Sequence, residues 1–329
     1  MMRSRPFGRS GRSIGEIGFG AWAIGAAWGQ VDDAESVAAL HAALDAGLDF
    51  IDTADVYGDG HSERLIARVL GERGGDRPFV ATKAGRRLPA QTVEGYSAEN
   101  LEQWVDRSLR NLQVDTLDLL QLHCPPTDAY YRPEIFERLE RLVERGKIAR
   151  YGVSVERVEE ALKAIEFPGV ASVQIIYNMF RLRPAELFFR QAQRRGVAVI
   201  VRVPLASGLL AGKFGAQTRF EQDDHRQFNR HGEAFDVGET FSGVPYEVGL
   251  AAVEKLRPLV PEGATLAQLA LRWILMDEAV SVVIPGARNP VQALSNIAAA
   301  SLPPLSPQVM EAVARIYAQD IGPYVHQRW

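Results

Sequence analysis

The stretch at residues 50–58 reads Phe50-Ile51-Asp52-Thr53-Ala54-Asp55-Val56-Tyr57-Gly58, which has the form of a buried strand that runs into a loop. The apolar residues stop at Asp52, so its carboxylate is expected at the strand end, with Tyr57 five residues later on the loop. A free phenol has a pKa of about 10, so a catalytic tyrosine needs a nearby cation that favours its ionised form. The chain must therefore bring a basic side chain to this strand end if Tyr57 is catalytic.

Two later apolar runs also end in polar residues. Residues 78–83 read PFVATK and end in Lys83, and residues 117–123 read LDLLQLH and end in His123. Each residue alone has an ordinary explanation, since an Asp at a strand end is often a helix cap and Tyr-Gly is often a turn. Their order on three successive strand ends favours one shared site for Asp52, Tyr57, Lys83 and His123.

Strand and helix patterns alternate along the chain, which is typical of parallel βαβ units. The first predicted helix starts at Asp32 or Asp33 and stops before Gly47. The others cover residues 62–70, 98–111, 133–145, 156–165, 184–195 and 290–299. The three apolar runs described above are predicted strands. Five more strands are predicted at 16–19, at the end of 146–154, and at 171–176, 197–203 and 280–285. Eight strands indicate an α/β protein of the (β/α)8 TIM barrel type, whose chemistry lies at the C-terminal strand ends.

Three segments fall outside the eightfold pattern. Residues 5–15 carry paired Gly and Ser and predict an N-terminal β-hairpin. Residues 206–245 form a long loop after the seventh strand, and the chain ends in an extra helix or tail that includes residues 320–329. Long loops on compact barrels are usually functional. We expect residues 1–329 to form a single domain.

Composition excludes several classes of function. Of the 329 residues, 47% are hydrophobic, and a net charge of −4 gives no reason to expect nucleic acid or an anionic membrane as partner. Cys124 is the only cysteine, so no internal disulfide can form, and it is expected to be a buried packing residue or a thiol near the pocket. The six histidines lack metal-ligand spacing, and no apolar run has the length of about 20 residues that spans a bilayer. We expect a cytoplasmic protein without a metal site.

At the D-x-A-x-x-Y-G loop, the Lys of A-T-K and the His of L-L-Q-L-H, the sequence resembles the aldo-keto reductase family, in the bacterial branch that is similar to potassium-channel β-subunits. The resemblance runs from Ile17 to Gly286. It implies that Asp52, Tyr57, Lys83 and His123 are catalytic. It also implies NADP(H) as cofactor, held across the barrel mouth without the Gly-rich fingerprint of a Rossmann fold, which is missing here.

The resemblance assigns a cofactor site residue by residue. The implied cofactor-binding residues are Gly20, Ala21, Trp22, Asp52, Ser154, Gln174, Arg202, Pro204, Leu205, Ser207, Gly208, Leu210, Lys213, Gly286, Arg288, Gln292 and Asn296. Within this set, residues 204–213 resemble the pyrophosphate loop, and Ser154 and Gln174 match side chains that bind the nicotinamide amide.

The sequence departs from the family pattern at three cofactor positions. Val155 stands where the family usually has Asn, Gly286 where some members have Lys, and Arg202 where an aromatic ring usually stacks under the nicotinamide. A planar guanidinium can stack on a ring, so Arg202 is expected to replace that aromatic face; the alternative is an outward Arg in a salt bridge. Arg288 is then the candidate for the 2′-phosphate, and NADPH is favoured over NADH.

The implied reaction is reduction of an aldehyde or ketone by hydride transfer, with Tyr57 as general acid. Lys83, held by Asp52, is expected to lower the pKa of Tyr57, and His123 to orient the carbonyl. Two alternatives stay open: a slow cofactor-sensing subunit, and oxidation of a sugar or polyol in the reverse direction. Trp22, Tyr57 and Trp28, with the 206–245 loop, predict an apolar or aromatic substrate pocket, whereas Arg86 and Arg87 equally favour a sugar or a carboxylate. The substrate and the oligomeric state cannot be predicted from these residues.

Overall fold

The computed structural model of the chain describes residues 2–25 and 32–329, so Trp28 lies outside the described residues. Its strands are β1 (Ser4–Pro6), β2 (Ser13–Gly15), β3 (Phe19–Gly20), β4 (Phe50–Asp52), β5 (Phe79–Ala84), β6 (Leu119–His123), β7 (Tyr151–Ser154), β8 (Val170–Ile176), β9 (Ala198–Arg202) and β10 (Val280–Val283). Strands β3 to β10 pair in chain order as one parallel sheet. Parallel bridges from Ile17 to Val283 and from Gly20 to Gly286 join its two edges. The predicted (β/α)8 barrel is confirmed.

Helices follow the barrel strands as the alternation predicts. They are α1 (Asp33–Asp45), α2 (His61–Gly71), α3 (Ala98–Leu112), α4 (Pro133–Glu144), α5 (Val158–Ala164), α6 (Phe188–Arg195), α7 (His225–Phe228), α8 (Tyr246–Leu256), α9 (Leu266–Ile274), α10 (Pro290–Ala298), α11 (Pro307–Ile316) and α12 (Gly322–Val325). The Asp32 side chain accepts a hydrogen bond from the Ala34 N–H and so caps α1. Among these helices, none combines the length and the apolar character that crossing a bilayer requires.

The predicted N-terminal hairpin is formed by β1 and β2, which pair antiparallel. Arg5 lies buried against Glu16 at 2.8 Å, and its guanidinium donates to backbone carbonyls of residues 275, 277 and 280 just before and at the start of β10. Phe7 packs against Phe79, with ring centroids 5.1 Å apart. The hairpin therefore covers the N-terminal end of the barrel with a satisfied ion pair and an apolar plug.

Side-chain alternation along the strands decides what points into the barrel. Phe79 and Ala81 belong to the small inner cluster, whereas Val80 belongs to the layer between strands and helices. Since successive side chains of a strand point to opposite faces, the same period carries Lys83 to the interior at the C-terminal end of β5. The same alternation places the side chains of Asp52 on β4 and His123 on β6 in the barrel interior.

The structure differs from the sequence predictions in three places. The first barrel strand is Phe19–Gly20 and not 16–19, because residues 16 and 17 contact β10 only as isolated bonds and a bridge. The helix predicted at 184–195 starts at Phe188, after a 3₁₀ turn at Arg183–Ala185 and a break in the helical backbone at Leu187. Helices α8 and α9 were not predicted, although α9 has a full capping box between Thr265 and Gln268.

Candidate active site

Lys83 stands at the centre of the site at the C-terminal strand ends. Its Nζ donates to Asp52 Oδ1 at 2.5 Å, to the Thr53 carbonyl at 2.8 Å and to the Tyr57 hydroxyl at 3.2 Å. An ammonium group has three N–H donors, so these contacts use all of them. With only 1% of Lys83 exposed, the cation is fixed against the phenol with little freedom to turn elsewhere.

Burial and charge oppose each other in this pair. Burial alone would lower the pKa of Lys83, but the Asp52 charge and the Tyr57 hydroxyl outweigh it and raise that pKa above its ordinary value. For Tyr57 the largest effect is burial, which raises the pKa; the Lys83 charge lowers it, but by less. Lys83 thus acts in the predicted direction, yet the net pKa of Tyr57 lies above its ordinary value. The phenol keeps its proton and is ready to act as an acid.

His123 faces the same phenol. Its ring lies 5.9 Å from the Tyr57 ring, centroid to centroid, and almost perpendicular to it, at 83°. Burial first, and then the charges of Arg86 and Lys83, hold the pKa of His123 well below its ordinary value. Its Nδ1 is buried and has no hydrogen-bond partner among the described residues. His123 is therefore a neutral imidazole, able to donate one N–H to a ligand.

Two glutamines hold the other oxygen of Asp52. The side-chain amides of Gln121 and Gln174 donate to Asp52 Oδ2 at 3.0 and 2.8 Å. Gln174 was predicted to bind the nicotinamide, and the structure gives its amide N–H a contact to the Asp52 carboxylate. Gln121 was not predicted, although it sits two residues before His123 and so faces the same interior. Asp52 is thus fully hydrogen-bonded while buried.

Beside this cluster lies a charge ring, which we define as Arg86, Glu156, Arg202 and Glu239. Arg86 contacts Glu239 at 2.5 Å and Glu156 at 3.1 Å, and Arg202 contacts Glu156 at 2.8 Å and Glu239 at 3.6 Å. Arg202 is buried, with 8% exposed, so it does not point outward, but it does form the salt bridges of the alternative prediction. Sequence patterns missed both acids, and Glu239 lies 153 residues from Arg86 in the chain.

The two acids of the charge ring differ in their protonation. Burial, followed by the neighbouring Glu239 charge, raises the pKa of Glu156 to about 8 even though Arg202 and Arg86 lower it. Burial also acts to raise the pKa of Glu239, but Arg86 and Arg202 outweigh it and hold that pKa well below its ordinary value. Glu239 is ionised and Glu156 keeps its proton near neutral pH. The charge ring then carries one net positive charge.

Cys124 packs beside the charge ring. Its Sγ lies 3.6 Å from Arg202 Nη2 and 3.5 Å from the Ser154 hydroxyl, and burial raises its pKa to about 12. One ligand atom each of Cys124, Glu156 and Glu239 lies within 4.8 Å of the others, which is metal-ligand spacing. Because two guanidinium groups already occupy those carboxylates, the described site does not favour a cation. Cys124 has the buried packing role, close to the pocket.

The predicted cofactor residues gather in two places. Gly20 lies against the β10 end, where an added side chain would meet the Ile284 carbonyl at 2.6 Å, and the Ala21 N–H bonds the Asp52 carbonyl. Pro204, Leu205, Leu210 and Lys213 follow β9 on a segment whose backbone is left-handed at Ser207 and Gly208. The Ser207 hydroxyl donates to the Glu239 carbonyl, which ties this segment to the charge ring.

The second place is the start of α10. The Arg288 N–H donates to the Gln292 side chain at 3.0 Å, and the Asn296 amide donates to the Gly286 carbonyl at 3.1 Å. Burial and the positive charge of Arg226 lower the pKa of Arg288. The four predicted residues therefore form one local unit.

Part of the 206–245 segment covers the mouth. The Trp22 ring contacts the His225 ring at 4.7 Å and lies 6.1 Å from Phe235 and 6.2 Å from Tyr57. Arg86 faces the Phe235 ring at 5.9 Å. Trp22 therefore joins the Tyr57 phenol to the segment, as an aromatic pocket requires.

Comparisons with known proteins agree with this geometry. The sequence model described as "Aldo/keto reductase family" matches residues 16–318. The aldo-keto reductase YhdN of Bacillus subtilis (strain 168) is 31% identical over 295 residues, covering 88% of this chain and 86% of its own. A probable voltage-gated potassium channel subunit beta of Arabidopsis thaliana is 28% identical and covers 96% of both chains.

Solved structures show the same relationship. An aldo-keto reductase of Bacillus halodurans in its holo form superposes with a TM-score of 0.76 at 26% identity, over 96% of both chains. An aldo/keto reductase of Klebsiella pneumoniae in complex with NADP and acetate gives a TM-score of 0.71 at 25% identity, again over 96% of both chains.

Proposed function

This chain belongs to the aldo/keto reductase family of NAD(P)H-dependent oxidoreductases, and we propose that it reduces an aldehyde or ketone with NADPH, using Tyr57 as the general acid. The observation that carries the proposal is the placement of Lys83 Nζ between Asp52 and the Tyr57 hydroxyl, with His123 across the phenol. A small-molecule carbonyl compound is the substrate class that this arrangement suits.

The chain's residues fit a nicotinamide dinucleotide. Gly20 and Gly208 let their segments pack against the Ile284 carbonyl and the Phe214 ring, where a side chain would clash, and His123 Nδ1 is buried without a hydrogen-bond partner among the described residues. Ser154, Gln174 and Arg202 would hold the nicotinamide end, and residues 204–213 the pyrophosphate. The cofactor supplies the hydride when bound. The same segments support NADP(H) over NAD(H), because Arg288 offers a cation for the 2′-phosphate.

The protein's own contribution is the proton. As the hydride reaches the carbonyl carbon, the oxygen gains negative charge, and Tyr57 gives it the phenolic proton. The Lys83 ammonium, held by Asp52, stabilises the phenolate that remains, and the neutral His123 donates its N–H to orient the carbonyl. The raised pKa of Tyr57 suits this role, because the group must hold its proton until the oxygen becomes basic.

The change Tyr57→Phe tests the mechanism. It removes the proton donor and keeps the ring, so we expect turnover of a good aldehyde substrate to fall roughly 10²–10⁴-fold. NADPH binding, followed by tryptophan fluorescence, should stay unchanged. Tyr131→Phe, at a tyrosine that is 64% exposed, is the matched control and should keep full activity. A Tyr57→Phe protein that retains most of its rate would contradict the mechanism.

A similar protein is a probable channel β-subunit, so a slow cofactor-sensing role is the second candidate. Titration with NADPH and, in a separate experiment, with NADH distinguishes the reductase from the cofactor sensor. Tight binding of NADPH with rapid aldehyde turnover supports the reductase, and tight binding without turnover supports the sensor. Assaying both directions with sugars and polyols tests the reverse reaction.

A further inference from the structure

A cavity of about 210 Å³ lies on the outside of the barrel, between α3 and α4, and we call it the α3–α4 cavity. Its lining residues belong to these two helices, whereas Lys83 and its partners belong to the strand ends and the loops that follow them. We propose that the α3–α4 cavity binds a small organic carboxylate with an aromatic or aliphatic body. This ligand is separate from the substrate and the cofactor of the proposed reaction.

The lining of the α3–α4 cavity consists of two helix faces. Residues three or four apart on a helix share a face, and both faces follow this spacing. Helix α3 contributes Ala98, Leu101 and Glu102, and α4 with the residue that ends it contributes Arg138, Arg141, Leu142 and Arg145. Leu101 and Leu142 are only 1% and 3% exposed, and the charged side chains are more exposed. The cavity therefore has an apolar floor below a charged rim.

The rim carries an excess of positive charge. Three arginines stand against one acid, Glu102, and that acid already contacts Arg145 at 3.0 Å and Lys147 at 2.8 Å. Arg141 lies 3.8 Å from Glu137, beyond hydrogen-bond distance, and both side chains are more than half exposed. An exposed pair of this kind contributes little to stability, so Arg141 can turn to a ligand at small cost. An anion is the class of ligand that fits this rim.

Arg138 supplies a donor that is already held in place. Its Nη1 donates to the Tyr96 carbonyl at 2.9 Å. This bond uses one of the five N–H donors of the planar guanidinium, and a carboxylate can accept two parallel bonds from such a fork. Pockets that bury a drug-sized molecule have roughly 300–1,000 Å³, so the smaller volume here suits a ligand of about the size of benzoate.

The α3–α4 cavity is connected to the His123 backbone through buried groups. Tyr96, whose carbonyl Arg138 contacts, is fully buried, and its hydroxyl accepts a hydrogen bond from Gln91 Nε2 at 3.1 Å. The same nitrogen of Gln91 donates to the carbonyls of His123 at 3.1 Å and of Cys124 at 3.0 Å. A ligand that competes with the Tyr96 carbonyl for Arg138 therefore acts on the end of β6, and we expect it to change turnover.

Isothermal titration calorimetry of the full chain with benzoate tests the site, at low ionic strength to limit charge screening. Benzamide has nearly the same shape without the charge and is the control ligand. We expect benzoate to bind with a Kd below about 1 mM, which a ligand of this size can reach, and benzamide to bind roughly tenfold or more weakly. Arg138→Gln should weaken benzoate binding roughly 10- to 100-fold, the size of one hydrogen bond to a charged group. Arg110→Gln, at an exposed arginine of α3 outside the cavity, is the matched control and should bind benzoate unchanged.

A second variant tests the space and not the charge. Ala98→Phe places a large side chain in the cavity from an exposed position of α3, so it should abolish benzoate binding with every arginine still present. Thermal unfolding of the variants shows that they stay folded. Turnover of an aldehyde at saturating NADPH should respond to benzoate in the unchanged protein and not in Ala98→Phe. Binding without that response overturns the connection to His123.

The donors of Tyr57 and His123 also suit a carboxylate, so Tyr57→Phe is titrated as well. The α3–α4 cavity is excluded as the site if benzoate does not bind, or if benzamide binds equally well. It is also excluded if Arg138→Gln binds like Arg110→Gln, or if Tyr57→Phe loses binding and Arg138→Gln keeps it. If the protein shows no turnover, the proposed function fails, and the titrations still decide whether the cavity binds a carboxylate.

Discussion

The proposed catalytic cluster, which we define as Asp52, Tyr57, Lys83 and His123, and the charge ring bury ionic groups at the same barrel mouth in different ways. Asp52 and Lys83 belong to adjacent strands, β4 and β5, and neighbouring backbone and amide groups satisfy both. The charge ring takes its members from the ends of β5, β7 and β9 and from the 206–245 segment, and guanidinium groups supply its main contacts. The Asp52–Lys83 pair depends on strand register, whereas the charge ring depends on where a long segment folds.

This difference has a consequence for function. Asp52 and Lys83 lie on paired strands, so strand register fixes their contact before any ligand binds. The charge ring holds the 206–245 segment through Glu239, and it changes if that segment moves. We therefore expect changes in the catalytic cluster to abolish chemistry and to cost much stability, and changes in the charge ring to cost less of both.

The largest effect is expected for Lys83→Met. It leaves the Asp52 carboxylate buried without its cation, and breaking a buried pair in this way costs about 3–5 kcal/mol. Chemical denaturation should show that loss in the free energy of unfolding, and turnover should fall with it. Lys255→Met, at an exposed lysine paired with Asp320, is the control and should cost less than about 1 kcal/mol.

The double change Lys83→Met with Asp52→Asn separates the two causes of that loss. With both charges removed, part of the stability should return, because no unpaired buried charge remains, while activity stays lost. A Lys83→Met protein as stable as the unchanged one would show that the ion pair does not anchor the cluster. The comparison with the charge ring would then lose its basis.

The loop that carries Tyr57 also holds a buried acid without a hydrogen-bond partner among the described residues. Neither carboxylate oxygen of Asp55 has a hydrogen bond within the described structure. Burial and the nearby Glu63 charge raise the pKa of Asp55 to about 7, although Arg87 and Arg107 lower it. Since this pKa is higher folded than unfolded, folding takes up a proton, and stability is lost as the pH rises from about 4 to about 7.

Asp55→Asn should remove this pH-dependent loss. We expect a gain of about 2–4 kcal/mol in the free energy of unfolding at pH 8 and little change near pH 4. Denaturant titrations at both pH values measure it, with Asp115→Asn, at an exposed acid, as the control. An equal effect at both pH values would mean that Asp55 is ionised in the folded protein and that its burial is compensated.

Residues whose position follows from a local repeat could be predicted. Apolar runs that end in a polar residue predicted Lys83 and His123 at strand ends, and the number of such runs predicted the barrel. Glu239 could not be found in this way, because its partner Arg86 is remote in sequence and no repeat governs the segment between them. Helix α9 was not predicted, although the capping box of Thr265 and Gln268 is a readable signal for its start. The positions of the other site residues are set by long-range packing and not by the local propensity of the chain.

The smallest effects are expected in the charge ring, where the two acids should respond differently. Glu239→Gln removes the ionised acid and should cost about 1–3 kcal/mol at pH 7, the range for losing hydrogen bonds to charged groups. The cost stays modest because Glu156, freed from the Glu239 charge, can ionise and take over both guanidinium groups. Glu156→Gln replaces a carboxyl that already holds its proton at pH 7, so no loss of stability is expected there. Thermal unfolding of both variants at pH 7 measures the contrast. Equal losses would mean that both acids are ionised and that the charge ring is electrically neutral and does not carry one positive charge.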